Sequence, residues 1–79
     1  MLGNHKITDY TASARELINT LSNRKLRAFG HDTASGKEQM CAALDVIDKL
    51  AEYDENAAED AYLNFMQVNL SGTSIELKD

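Results

Sequence analysis

SGKEQMCAALDVIDKLAEY, residues 35–53, is the stretch that decides the fold. Met40, Ala43, Leu44, Ile47, Leu50 and Ala51 recur at steps of three and four, which sets all six on one face of a helix. Ser35 followed three residues later by Glu38 has the spacing of a capping box. In that arrangement the serine oxygen accepts an orphan helix N–H and the glutamate reaches back to the cap. No residue inside the stretch breaks a helix, and its β-branched residues are confined to Val46 and Ile47. An apolar face of this length needs cover, so the flanking segments must supply it.

The segment before it repeats the pattern. Thr8 or Asp9 can cap a first helix with Ile7 as a staple just outside, and Tyr10, Ala14, Leu17, Ile18 and Leu21 share a face. Continuing the same period would put Arg24 and Lys25 on that apolar stripe and turn Leu26 away from it. The spacing therefore predicts a break near Ser22 and Asn23, a short re-phased turn at 25–29, and Gly30 as a left-handed stop. An unbroken helix with a snorkelling basic end is the alternative. After Tyr53, Asp54 or Asn56 starts a further helix whose main stripe is Ala58, Ala61, Tyr62, Phe65 and Val68. Leu63, Met66 and Leu70 form a second apolar strip beside it, more than one neighbouring helix needs.

The expected fold is all-α: one domain over 1–79, a small bundle of three main helices near 9–22, 36–53 and 56–70. The turn at 25–29 would be a fourth element, and the C-terminal tail is extended or disordered. Residues 1–6 and 73–79 are expected to be flexible. Ile75 and Leu77 alternate with polar residues, so the tail can also be read as a strand whose partner another chain would supply. Leu17, Leu21, Leu44, Ile47 and Phe65 are the expected core.

Composition limits the function classes. Seventy-nine residues lie near the size where one core is marginally sufficient. A single cysteine, Cys41, excludes an internal disulfide and reads as a small reduced apolar residue. His5, His31 and Cys41 lack the close pair spacings of a zinc site, so no metal or other cofactor is expected. No apolar run reaches membrane-spanning length and the N-terminus lacks signal-peptide order, which points to a cytoplasmic location. The sequon Asn69-Leu70-Ser71 then meets no glycosylation machinery.

Charge is unevenly divided. Residues 1–40 carry six basic and four acidic side chains, whereas residues 41–79 carry two basic and nine acidic. Such an acidic half would repel phosphate, so general nucleic-acid affinity is not expected. Asp45, Asp48 and Glu52 fall on one flank of the central helix, where a solvated face explains them better than paired catalytic carboxylates. Gly30, Gly36 and Lys37 suggest a phosphate loop, but five residues separate the glycines, Glu38 follows the lysine and a helix precedes. The motif fails on all three counts. No enzyme is expected.

Two candidate sites remain. The basic cluster of Arg24, Lys25 and Arg27, with Lys37 nearby, is a candidate anion or nucleic-acid contact. Pairing with the acidic flank of the central helix is the simpler account of it. The strip of Leu63, Met66 and Leu70 is a candidate partner surface, unless the first helix and the tail cover it. The expected function is a small acidic protein–protein interaction module, a regulator or inhibitor working through that strip and the acidic surface as a homodimer or with a protein partner. The alternative is a nucleic-acid-associated regulator using the basic cluster.

Ile7-Thr8-Asp9-Tyr10-Thr11, with Leu17-Ile18-Asn19-Thr20-Leu21-Ser22-Asn23 after it, resembles the first-helix region of the immunity proteins that neutralise nuclease colicins. Those proteins are also small, acidic and helical. The resemblance covers under a quarter of the chain and requires a gap. The family's partner-binding Tyr-Tyr-Pro element has no counterpart in a chain without proline or adjacent tyrosines, so no site residue carries over.

Overall fold

Asp9 sets where the first helix begins. In the computed structural model, which describes residues 5–77, its carboxylate accepts the Lys6 backbone N–H at 3.1 Å. A lysine side chain has no acceptor, so this reciprocal half of a capping box does the work, with the carboxylate favourably placed at the positive helix end. α1 therefore spans Ile7–Thr20 and starts ahead of Thr8 and Asp9. Ile7, expected just outside as a staple, is instead the first helical residue and is buried.

Leu21 is extended, and Ser22 then caps α2 (Asn23–Ala28) by accepting the Lys25 N–H at 3.1 Å. The break falls where the apolar period would have failed, two residues ahead of the expected start of the short turn. Its effect is the re-phasing that the sequence required: Leu26 turns fully inward while Arg24, Lys25 and Arg27 stay exposed. Gly30 ends the turn at φ 89°, a conformation costly for any residue with a Cβ.

α3 (Gly36–Ala51) begins differently from expectation. Ser35 occupies the cap position, but its Oγ accepts the Gln39 side-chain amide at 3.2 Å and no backbone N–H. With ψ at −4°, Ser35 lacks the extended backbone that aims a cap oxygen into the first turn. Asp32 does that organising from outside the helix. Its Oδ1 accepts from Ala34 N at 2.6 Å and Ser35 N at 3.3 Å, and its carbonyl accepts from Gly36 N at 2.8 Å. Gly36 is buried in this corner, where an added Cβ would sit 2.9 Å from His31 Cβ. α4 (Glu55–Asn69) is capped by Asp54, which accepts from Ala57 N at 3.0 Å.

Contacts fix the topology. Thr11 and Arg15 meet Asp48 and Asp45, and the Lys37 ammonium donates to the Asn19 carbonyl at 3.1 Å, so α1 and α3 run antiparallel. The tight turn at Asp54 reverses the chain again, and α3 packs against both α1 and α4. At the other end, His31 Nε2 donates to the Asn69 carbonyl at 2.7 Å, tying the α2–α3 loop to the end of α4. The fold is all-α, three main helices and one short one, with no strand among the described residues. Residues 73–77 have no regular secondary structure, yet Ile75 packs against the core. The expected flexibility of residues 1–4 and 78–79 lies outside the described residues.

The core confirms the face of α3 and moves those of its neighbours. Met40, Leu44 and Ile47 are buried, and Ala43, Leu50 and Ala51 pack beside them. On α1 the inward line is Ile7, Thr11, Ala14 and Ile18, so Leu17 and Leu21, expected in the core, are only partly buried. A threonine can sit at the centre because its hydroxyl has acceptors, the Thr8 carbonyl at 3.1 Å and Asp48 Oδ1 at 2.5 Å. On α4, Met66 and Leu70 join Ala58, Tyr62 and Phe65 inside, while Val68, expected on the main stripe, is 64% exposed.

Tyr62 is 3% exposed, with its ring centroid 5.7 Å from that of Tyr10. Burial, with a smaller contribution from Tyr10, pushes the Tyr62 phenol up to about 12. The folded state thus holds this proton more tightly than the unfolded chain. Its contribution is complete below pH 10 and is lost as pH rises through about 12. Denaturation series across that window should show stability falling more steeply in the parent than in Tyr62→Phe. Identical slopes would mean that Tyr62 is not shielded from water.

Candidate interaction site

The acidic flank of α3 is occupied. Arg15 Nη2 lies 2.5 Å from Asp45 Oδ1 and 2.8 Å from Asp48 Oδ2, and the other Asp48 oxygen accepts the buried Thr11 hydroxyl. Burial alone lowers the Arg15 pKa, but hydrogen bonds and charge from Asp48 and Asp45 outweigh it and leave the guanidinium raised. One cation between two carboxylates offsets their mutual repulsion, so this flank is not simply a solvated face. Glu52, a turn further on, remains exposed.

The cation is Arg15, not the basic cluster that the sequence suggested for this pairing. Arg24, Lys25 and Arg27 project from α2 at the far end of α3 and form no ion pair among the described residues. Lys37 does not join them, since its ammonium lies against the carbonyl end of α1 at Asn19, where a cation is favoured.

The strip on α4 is divided by the fold. Met66 and Leu70 are 7% and 0% exposed and belong to the core, whereas Leu63 stays 49% exposed. Leu63 borders an open cleft of about 150 Å³ lined also by Tyr10, Tyr62, Met66, Thr73, Ser74 and Ile75. The tail thus forms one wall of the cleft and covers part of the strip. Gly72, at φ 80°, turns the chain into that wall. Thr73 at the start of the tail was not read from the sequence as lining anything; the alternation around Ile75 was the available signal.

A wider, shallower hollow of about 310 Å³ lies between the start of α1 and the α3–α4 turn. Lys6, Ile7, Thr8, Asp48, Ala51, Glu52 and Glu55 surround it. No group of His, Cys, Asp and Glu able to hold a metal ion occurs among the described residues. His31, the histidine nearest Cys41 in sequence, directs its Nε2 to Asn69. Among the described residues no helix is long and apolar enough to cross a membrane.

No protein-family model matches the chain, and comparison with curated proteins and with solved structures gives no match. The likeness to nuclease-colicin immunity proteins stays confined to the residues quoted for it.

Proposed function

We propose that the protein is a protein–protein interaction module, a regulator or inhibitor rather than an enzyme, which docks through the α4 flank around Leu63 and works as a homodimer. The observation that carries this reading is Leu63 itself, half exposed at the rim of a mainly apolar cleft that it shares with Tyr10, Tyr62, Met66 and Ile75. A second copy docking there would bury Leu63 and the cleft rim together, and a two-fold pairing of α4 flanks is the simplest closed arrangement. The acidic surface would then select among further partners by charge. An unpaired Cys41 fits work in a reducing compartment such as the cytoplasm.

Light scattering coupled to size exclusion across a dilution series tests this. In about 1 M salt, which screens charge contacts between chains, the parent should approach twice the chain mass at the concentrated end, and Leu63→Glu should remain a single chain at every concentration. Because Leu63 is half exposed, the variant should keep the parent's helicity and melt within a few degrees of it. A parent that is monomeric throughout would remove the homodimer from the proposal.

The alternative, a nucleic-acid-associated regulator, rests on the exposed, unpaired side chains of Arg24, Lys25 and Arg27. Only Phe29 supplies an aromatic ring beside them, and α2 is six residues long, too short for a groove-reading helix. Salt-dependent retention of an oligonucleotide would favour it.

A further inference from the structure

The fold converts the uneven charge of the sequence into a molecule with two oppositely charged ends. α2 sits where α1 ends, α3 begins and α4 ends: Leu26 is buried beside Gly36, and His31 reaches Asn69. Arg24, Lys25 and Arg27 are all exposed there. The opposite end is the α3–α4 turn, where the exposed Glu52, Asp54, Glu55 and Asp60 outnumber the exposed Lys6 and Lys49. The 16 residues of α3 separate the two ends by about 24 Å.

We propose that copies of this protein associate end to end, the basic face of α2 on one chain docking against the acidic α3–α4 turn of another. This contact is separate from the α4 flank proposed above and does not depend on it. At physiological salt the screening length is about 8 Å, so a docking end feels its immediate partner far more than the distant like-charged end. The net charge of −5 therefore does not prevent the contact. Among the described residues no carboxylate neutralises the α2 cations, and the oppositely charged surface that they offer is the α3–α4 turn. Asp32 and Glu38, near α2, limit how far a long polyanion could extend along this end, which favours a compact acidic partner over nucleic acid. Such a contact is heterologous: each chain keeps one end free, so association continues as concentration rises. Exposed pairs are individually weak, so the assembly is expected only at high chain concentration.

Two complementary variants test this, both made in the Leu63→Glu chain so that the α4 flank is silent. The first carries Arg24→Gln, Lys25→Gln and Arg27→Gln; the second carries Glu52→Gln, Glu55→Gln and Asp60→Asn. All six side chains are exposed, and circular dichroism melts verify that both variants fold. By sedimentation equilibrium in about 0.1 M salt, each variant alone should be a single chain. Their equimolar mixture should reach twice the chain mass and stop there, because one native contact remains, and about 1 M salt should abolish it. A mixture that stays monomeric would overturn the proposal, as would either variant associating alone. If the mixture stays monomeric while Leu63→Glu retains a duplex oligonucleotide at the same salt, the basic end serves nucleic acid and the proposal fails.

Discussion

Replacing Ile47 by Asp should abolish the fold. Ile47 is 5% exposed and lies in the core cluster with Met40 and Leu44 of the same helix. The substitution removes a packed side chain and brings a carboxylate into a site where no cation waits, since Arg15 is already held by Asp45 and Asp48. A domain of this size has about 4–12 kcal/mol of stability in total. The lost burial costs about 2–5 kcal/mol, and the buried charge adds several more. Far-UV circular dichroism at 25 °C should therefore show most of the helix lost. Ile47→Val, which removes one methylene, should cost only about 1 kcal/mol and melt cooperatively. A cooperative melt of Ile47→Asp at the parent's temperature would mean that the inward face of α3 is misassigned.

Removing Arg15 should produce the largest loss of any single surface charge. Its guanidinium bridges two carboxylates on α3, and Asp48 is the more shielded of them, with 29% of its side chain exposed against 71% for Asp45. Arg15→Ala leaves both carboxylates on one helix flank without a counter-charge. The expected cost is about 1–3 kcal/mol, or a fall of about 5–15 °C in Tm. Asp48→Ala should cost more than Asp45→Ala, because it removes the more buried ion pair and one acceptor of the buried Thr11 hydroxyl. The Thr8 carbonyl still accepts that hydroxyl, which keeps the Asp48→Ala loss below that of Arg15→Ala. A double-mutant cycle between Arg15 and Asp48 should give a coupling of about 0.5–2 kcal/mol. Zero coupling, with Arg15→Ala neutral, would mean that the network does not form in solution.

The ease of reading each feature from sequence follows the range of the interaction that sets it. The α3 face, the re-phasing after Ser22 and the α4 cap depend on residues within a turn or two of each other. Spacing gives the first directly, favours no choice between a break and an unbroken helix for the second, and leaves Asp54 and Asn56 both open for the third. The Arg15 network was not, because its members lie 30 or more residues apart. Charge counting instead directed attention to Arg24, Lys25 and Arg27, which are dense in sequence but lie at the wrong end of α3. The inward phase of α1 was displaced for a related reason. A threonine on a helix face reads as polar until its hydroxyl is given an acceptor, and that acceptor, Asp48, is 37 residues away. α4 was ambiguous by composition. It carries two apolar strips, and only the position of its neighbours decides that Met66 and Leu70 go inside while Val68 stays out. Of the candidate site, Leu63 alone was legible as a surface residue, and the tail's wall of the cleft required the turn at Gly72.

The central claim is that the α4 flank is where this protein meets its partner copy. Isotope-filtered nuclear Overhauser spectroscopy on an equimolar mixture of labelled and unlabelled chains tests it most directly. Transfer between chains is expected from the Leu63 methyls to the aromatic protons of Tyr10 and the side chain of Ile75. Transfer confined within single chains, at concentrations where the mass has doubled, would place the interface elsewhere and contradict the account.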